Sequence, residues 1–137
     1  LQAMNTGHDG SLTTIHCNSP RDAISRLEVM VGMANANMGV RAIRQQISSA
    51  VDLFVQLSRL SDGSRRITHI TECVGMEGEL ITSQDIFLFE RLGLTEDSRV
   101  KGRFRPTGVR PKFDERLRAS GIHISPSLFQ TVVEVNT

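Results

Sequence analysis

The spacing of apolar residues changes near residue 51, and this change limits the possible folds more than any other feature of the sequence. Before residue 51, apolar residues recur every three or four positions, which is the spacing of amphipathic helices. The positions are Ile24, Leu27, Val31 and Ala34, followed by Val40, Ile43, Ile47 and Ala50. From there on, alternate positions are apolar, as in a β-strand, at Val51, Leu53, Val55 and Leu57. The sequence therefore predicts a helical region joined to a β-sheet.

Cap and turn residues predict where these elements begin and end. Ser19-Pro20 is typical of a helix start, and Asp62-Gly63 is typical of a hairpin turn. The apolar pattern predicts three further strands, over 66–74, 81–89 and 99–105. Shorter elements are predicted as a helix at 1–5, a strand at 11–16, a helix after Pro111, and a last helical segment from Pro126 around Phe129, Val132 and Val133.

These elements define the expected organisation of the chain. The 137 residues are one domain's worth of chain, divided into helices over 1–50, a β-meander over 51–106 and helices over 107–137. Taken alone, this order is α+β. The chain begins at Leu1 rather than Met, and we expect it to be a piece of a longer α/β protein whose central sheet includes strand 11–16.

Composition excludes several classes of protein. No run approaches the roughly 18–20 apolar residues of a membrane span, and 16 basic residues nearly balance 15 acidic ones. Trp and Tyr are absent, which weakens any case for stacking on nucleic-acid bases. Cys17 and Cys73 match no metal or redox spacing, so we expect them to be free thiols in a reducing cytosol.

The densest group of polar residues lies between Thr6 and Ser19. It contains His8 and, at the end of the predicted strand, His16, where open α/β sheets bind their ligands. An imidazole there could hydrogen-bond a phosphate oxygen. On spacing alone, histidines without a role are the favoured interpretation. A metal site formed by His8, Asp9 and His16 is the least supported, because no other ligand lies nearby.

Four basic residues alternate along the last predicted strand and form what we call the basic stripe: Arg99, Lys101, Arg103 and Arg105. Alternate residues of a strand point to one face, and like charges so close repel one another. The stripe therefore needs a counterion, which could be acidic side chains, such as those of a neighbouring subunit, anionic lipid headgroups or nucleic-acid phosphates. Alternatively, the charges keep an edge strand soluble.

Several blocks of this sequence, in order, resemble one family of secretion ATPases. The blocks are NTGHDGSLTTIH, NSPRDA, AIRQQISSAVDLFVQ, THITE and PTGVRPKF. Together they resemble the C-terminal part of the motor domain of CpaF-type (TadA-type) ATPases, the type II/type IV secretion ATPases of the Flp (tight-adherence) pilus. The resemblance covers essentially all 137 residues. At Cys17 this family usually has Ala.

The resemblance implies a RecA-like P-loop ATPase that works as a ring hexamer. The ring would lie at the cytoplasmic face of the inner membrane, as a peripheral protein bound to a pilus or secretion platform protein. There it would use ATP and Mg²⁺ to drive pilus assembly or protein secretion, with no nucleic-acid partner expected. Because these 137 residues contain no G-x-x-x-x-G-K-[ST] motif, we expect this stretch alone to be inactive.

The resemblance also implies roles for particular residues. His8 and His16 match the family's histidine box and would approach the γ-phosphate. Thr14 and Asn18 flank His16 and could orient it by hydrogen bonds, although ordinary β-propensity is the favoured explanation of Thr14. Arg41 and Arg44, one turn apart on the predicted second helix, could contact phosphate or a neighbouring subunit, although a solvated helix face is the favoured interpretation. No metal ligand is assigned.

A different class of function stays open at this point. The chain could be a non-catalytic α+β module that binds an acidic protein, a lipid or a nucleic acid through the basic stripe. If the chain is part of an ATPase motor, the stripe is expected to contact a neighbouring subunit. If it is a non-catalytic module, the stripe is expected to bind the partner.

Overall fold

The computed structural model describes residues 1–7 and 10–135. Its helices are α1 (Gln2–Asn5), α2 (Pro20–Ala34), α3 (Val40–Ala50) and α4 (Phe113–Ala119), with a 3-10 turn at Pro126–Phe129. Its strands are β1 (Leu53–Arg59), β2 (Arg65–Glu77), β3 (Leu80–Leu94), β4 (Val100–Pro106) and β5 (Val133–Val135). The strands form one antiparallel sheet in the order β1-β2-β3-β4-β5. The predicted mixture of helices and a β-meander is therefore confirmed.

The start of α2 follows from its capping residues, as predicted. The Ser19 hydroxyl accepts a hydrogen bond from the backbone N–H of Asp22 at 3.0 Å. In return, the Asp22 carboxylate accepts from the backbone N–H of Asn18 at 2.9 Å. The first hydrogen bond satisfies an N–H group that a helix start leaves without a partner, and the second ties the preceding segment to α2.

The inner faces of α2 and α3 form the core with β1. Ala23 and Ile24 of α2 pack with Phe54 of β1. Val31 packs with Ile43 and Ile47 of α3 in a second cluster, and Ile47 is fully buried. The predicted helical spacing holds for these positions, but Ala34 and Val40 are exposed because they lie at the ends of the two helices.

Strand β1 is confirmed, and its buried residues are the even-numbered ones. Phe54 and Gln56 are 9% and 8% exposed, whereas Leu53, Val55 and Leu57 lie on the other face and are exposed. The Asp62-Gly63 turn joins β1 to β2, with Gly63 at a φ of 82°, a value that suits glycine. The Asp62 carboxylate also accepts from the N–H of Val100, so the turn is tied to the start of β4.

The C-terminal segment differs from the prediction beyond Phe129. The turn after Pro126 is formed, and the Phe129 ring stacks on Phe87 with centroids 5.8 Å apart. Residues 133–135, however, form β5 against β4 rather than a helix. The helical prediction was wrong there because β-branched valines favour a strand and β4 offers an open edge with unpaired backbone groups.

The predicted strand at 11–16 was also wrong. Residues 11–18 have no regular secondary structure, and Leu12 is 97% exposed. A strand requires a neighbour to pair its backbone, and β-propensity alone does not supply one within residues 1–7 and 10–135. In the same described ranges, no helix combines the length and apolar character that a membrane crossing requires.

Candidate functional site

His16 lies on an irregular segment whose side chains alternate between the core and solvent. Ile15 and Cys17 are half-buried and pack against the cluster of Ala23, Ile24 and Phe54. Thr14, His16 and Asn18 are exposed. This is the alternation of an extended chain, and it directs the imidazole of His16 away from the core.

A groove of about 570 Å³ separates this segment from the outer face of α2. His16 and Thr14 line one side, and α2 supplies Ser25, Arg26, Val29 and Met30. Arg26 is 54% exposed, and its Nε lies 3.5 Å from the Asp22 carboxylate. Imidazole, guanidinium and hydroxyl groups can donate hydrogen bonds to phosphate oxygens, although Ile15, Val29 and Met30 make most of the exposed lining apolar. Ser25 and Arg26 were not predicted as site residues, because they differ in no way from other polar residues on the outer side of α2.

Gln56 of β1 connects the sheet to this segment. Its Nε2 donates to the carbonyl oxygen of Cys17 at 3.2 Å and to that of Leu57 at 3.2 Å. Its Oε1 accepts from the Cys17 thiol at 3.3 Å. The amide therefore has a partner for each of its polar atoms, although it is 8% exposed. Sequence analysis did not identify Gln56, because a polar residue in an alternating strand ordinarily faces solvent.

Thr14 and Asn18 do not hydrogen-bond the imidazole of His16 within the described residues. The reason is geometric, since residues two apart in an extended chain are separated by about 7 Å. The N–H of Asn18 instead donates to Asp22. Their predicted orienting hydrogen bonds are thus not formed here, and any contact with a ligand stays a prediction. His8 and Asp9 lie outside the described residues.

Arg44 has a structural role that the sequence did not predict. Its Nε and one terminal nitrogen donate to the two carboxylate oxygens of Glu28 at 2.9 and 3.3 Å. The other terminal nitrogen donates to the carbonyl oxygen of Glu79 at 2.9 Å. Arg44 thus ties α3 to α2 and to the β2–β3 turn, so the simple interpretation of a solvated face is wrong for it. Arg41 is exposed on α3.

The basic stripe divides into two halves. Arg103 and Arg105 share the carboxylate of Glu90 on β3, with N···O distances of 2.8 and 3.5 Å, and Arg103 also lies opposite Glu134 of β5. The hydrogen bond from Arg103 holds the pKa of Glu90 below its usual value. The expected counterion is therefore an acidic side chain for Arg103 and Arg105, and it lies on the neighbouring strand of the same chain. Arg99 and Lys101 are exposed.

Glu72 is a buried carboxylate that the sequence analysis missed as a site. It is 4% exposed, and its oxygens accept from the N–H groups of Lys112 and Phe113 at 3.0 and 2.8 Å and from the Gln84 amide at 2.7 Å. It therefore caps α4 from across the sheet. The only indication in the sequence was that Glu72 ends the THITE block and Phe113 ends the PTGVRPKF block, and the structure brings these two ends together.

Cys17 and Cys73 are free thiols, as predicted. Burial raises the pKa of Cys73. Within the described ranges, no cluster of three or more His, Cys, Asp or Glu side chains could hold a metal ion.

A family model described as type II/IV secretion system protein matches residues 1–113. Conjugal transfer protein TrbB of Rhizobium radiobacter is 37% identical over 78 residues, which are 57% of this chain and 22% of the relative. A putative conjugal transfer protein of Mycobacterium tuberculosis is 30% identical over 80 residues, 58% of this chain and 22% of the relative. The matches thus span about a fifth of the length of these relatives.

Proposed function

We propose that this chain, which belongs to the type II/IV secretion system protein family, is part of an ATPase that drives secretion or conjugation. The family match over residues 1–113 carries the proposal. The outward-facing His16, on the segment that resembles the family's histidine box, supports it. The broad family expected from the sequence blocks is confirmed, and the more specific Flp-pilus assignment is a proposal based on those blocks.

In this proposal, His16 acts on the phosphate chain of a bound nucleotide. Bound ATP supplies a terminal phosphoryl group that can be transferred to water. The His16 imidazole can donate a hydrogen bond to a phosphate oxygen, and Arg26 across the groove adds a positive charge. Such contacts count most when they strengthen in the transition state. No residue described here is assigned to Mg²⁺, whose requirement follows from the family.

The assembly is proposed from the same family membership. The intact protein would contain a RecA-like domain and would form a ring hexamer. It would lie in the cytoplasm at the inner face of the membrane, bound to a platform protein. Two of its relatives are named conjugal transfer proteins, so the cargo class is open between pilus subunits, secreted proteins and conjugation.

The alternative, a non-catalytic module that docks through the basic stripe, has less support. Half of the stripe is occupied by Glu90 within the chain. The family match over residues 1–113 includes both the His16 segment and the stripe, and the family supports an ATPase rather than a docking module. The exposed pair Arg99 and Lys101 is the part of the stripe that could still bind a partner.

Phosphate release from ATP by the intact protein tests the proposal. We expect turnover that EDTA abolishes, and no turnover above buffer from residues 1–137 alone, which contain no P-loop motif. An intact protein that folds and binds no ATP would contradict the proposal and favour the docking module. Phosphate release by residues 1–137 alone would contradict the proposal that the P-loop required for hydrolysis lies in another part of the intact protein.

A further inference from the structure

A glutamine occupies a core position of β1 where an apolar residue would be expected. Phe54 and Gln56 both face the helices, and Gln56 is 8% exposed. Burying an amide is unfavourable unless hydrogen bonds replace those it made with water. An apolar residue would avoid that cost. The hydrogen bonds that Gln56 makes therefore indicate why a glutamine stands at this position.

Two of the three hydrogen bonds of the Gln56 side chain go to one residue, Cys17. One of them reaches the carbonyl oxygen of Cys17, so it holds the backbone directly. The segment around Cys17 belongs to no sheet or helix. Gln56 therefore does for this segment what a neighbouring strand does for a strand, because it fixes the register.

The register decides where His16 points. In an extended chain, a slip of one residue moves every side chain to the opposite face. With Cys17 held inward, His16 faces the groove; one step of slippage would turn it into the core cluster. On the C-terminal side of Cys17, the hydrogen bond from the Asn18 N–H to the Asp22 carboxylate fixes the segment to α2.

We propose that Gln56 is a positioning residue for His16, which it holds toward the groove through the backbone of Cys17. The inference rests on the proposed role of His16 in ATP turnover. Gln56 itself faces the core, so it acts through the segment and not by touching a nucleotide.

Gln56→Met in the intact protein removes the hydrogen bonds and keeps an unbranched side chain of similar size. We expect kcat for ATP hydrolysis to fall roughly 10- to 100-fold, the scale of a misplaced catalytic group, with KM for ATP nearly unchanged. Ile47→Val is the matched control, since it trims a buried side chain of the other core cluster and should lower the melting temperature without lowering kcat. Cys17→Ala loses the thiol contact but keeps the carbonyl bond, so its kcat should fall less than that of Gln56→Met.

A double variant separates positioning from general damage. If Gln56 acts only through His16, Gln56→Met should lower kcat no further in a His16→Ala background, because residues that act as a unit are non-additive. Losses that multiply in full would overturn the inference. If His16→Ala alone left turnover unchanged, the proposed role of His16 would fail instead.

Hydrogen exchange of the intact protein tests the tether without reference to activity. Backbone amides in peptides covering 11–18 should exchange faster in Gln56→Met than in the unsubstituted protein, and Ile47→Val should leave them unchanged. Unchanged exchange in Gln56→Met would overturn the inference whatever the kinetics.

Discussion

Residues 1–50 and residues 51–135 differ in what they do with polar side chains. In the sheet region, three carboxylates hold the fold together: Glu72 caps α4, Asp62 joins a turn to β4, and Glu90 pairs with Arg103 and Arg105 of the basic stripe. In the helical region, His16, Thr14 and Arg41 face outward. Arg44, which is held by Glu28, and Asp22, which is hydrogen-bonded at the start of α2, serve the fold there instead.

The difference distinguishes residues that hold the fold from residues that can act on a ligand. A side chain whose hydrogen bonds are all made within the chain must break them to bind anything else. An exposed imidazole beside a groove pays no such cost. The sheet region therefore serves as the scaffold, and the His16 segment carries side chains that are free to contact a ligand.

The largest expected effect on stability is at Glu72. Glu72→Ala leaves the N–H groups of Lys112 and Phe113 and the amide of Gln84 without their acceptor. Each buried group left unpaired costs about 1–3 kcal/mol, and partial access of water lowers the sum, so we expect the free energy of unfolding to fall by about 2–4 kcal/mol. Urea denaturation measures it.

Glu77 provides the control for Glu72. It lies on the same strand and is exposed, so Glu77→Ala should change the free energy of unfolding by no more than about 0.5 kcal/mol. Equal losses from the two substitutions would show that the sheet region does not depend on its buried carboxylate.

The two halves of the basic stripe should respond differently to charge reversal. Arg99→Glu with Lys101→Glu removes the exposed cations, and we expect hexamers to shift toward smaller species, more at low salt than at high salt. Close charge pairs at interfaces couple by about 1.5 kcal/mol or more. Sedimentation velocity at two salt concentrations measures the shift.

Reversal of Arg103 and Arg105 is the comparison for that experiment. It places like charges beside Glu90, so it should destabilise the β3–β4 pair within each subunit and lower the melting temperature. A hexamer that survives reversal of Arg99 and Lys101 at both salt concentrations would exclude them from the subunit contact. Loss of binding to anionic vesicles by the same variant would then assign the pair to lipid.

The smallest expected effect is the pH dependence contributed by Asp62. Hydrogen bonds from Ser64 and from the N–H of Val100 lower its pKa from 3.8 to about 2. A carboxyl with a lowered folded-state pKa stabilises the fold above its unfolded pKa, and this contribution is lost as pH falls from about 4 toward about 2. Asp62→Asn should therefore unfold with a weaker dependence on pH in that range.

Thermal unfolding at several pH values between 2 and 5 provides the measurement. Glu96→Gln, at an exposed site in the β3–β4 loop, is a control that should keep the full acid dependence. If the melting temperature of Asp62→Asn depended on pH as steeply as that of the unsubstituted protein, a stabilising contact of the Asp62 carboxylate with β4 would be contradicted.

Local patterns predicted much of this fold. Ser19-Pro20 predicted the start of α2, Asp62-Gly63 the β1–β2 turn, and the change of spacing near residue 51 the boundary between helices and sheet. These features depend on neighbours in sequence, so a single chain carries enough information to identify them.

Features that depend on distant partners were not predicted. Whether 11–16 and 133–135 form strands is decided by the presence of an edge to pair with, not by their similar β-propensities. Glu90 and Gln56 find their partners 13 and 39 residues away. Of the site, His16 was identified from its block of sequence, while the residues that surround and hold it required the structure.

Replacement of His16 in the intact protein tests the central claim most directly. The account predicts that His16→Ala lowers kcat for ATP hydrolysis roughly 100-fold or more, the effect of one lost polar contact to developing charge, while the KM and Kd for ATP stay close to their original values. His123→Ala, at an exposed histidine outside the segment, should leave kcat unchanged. Unchanged turnover in a folded, hexameric His16→Ala protein would contradict the account.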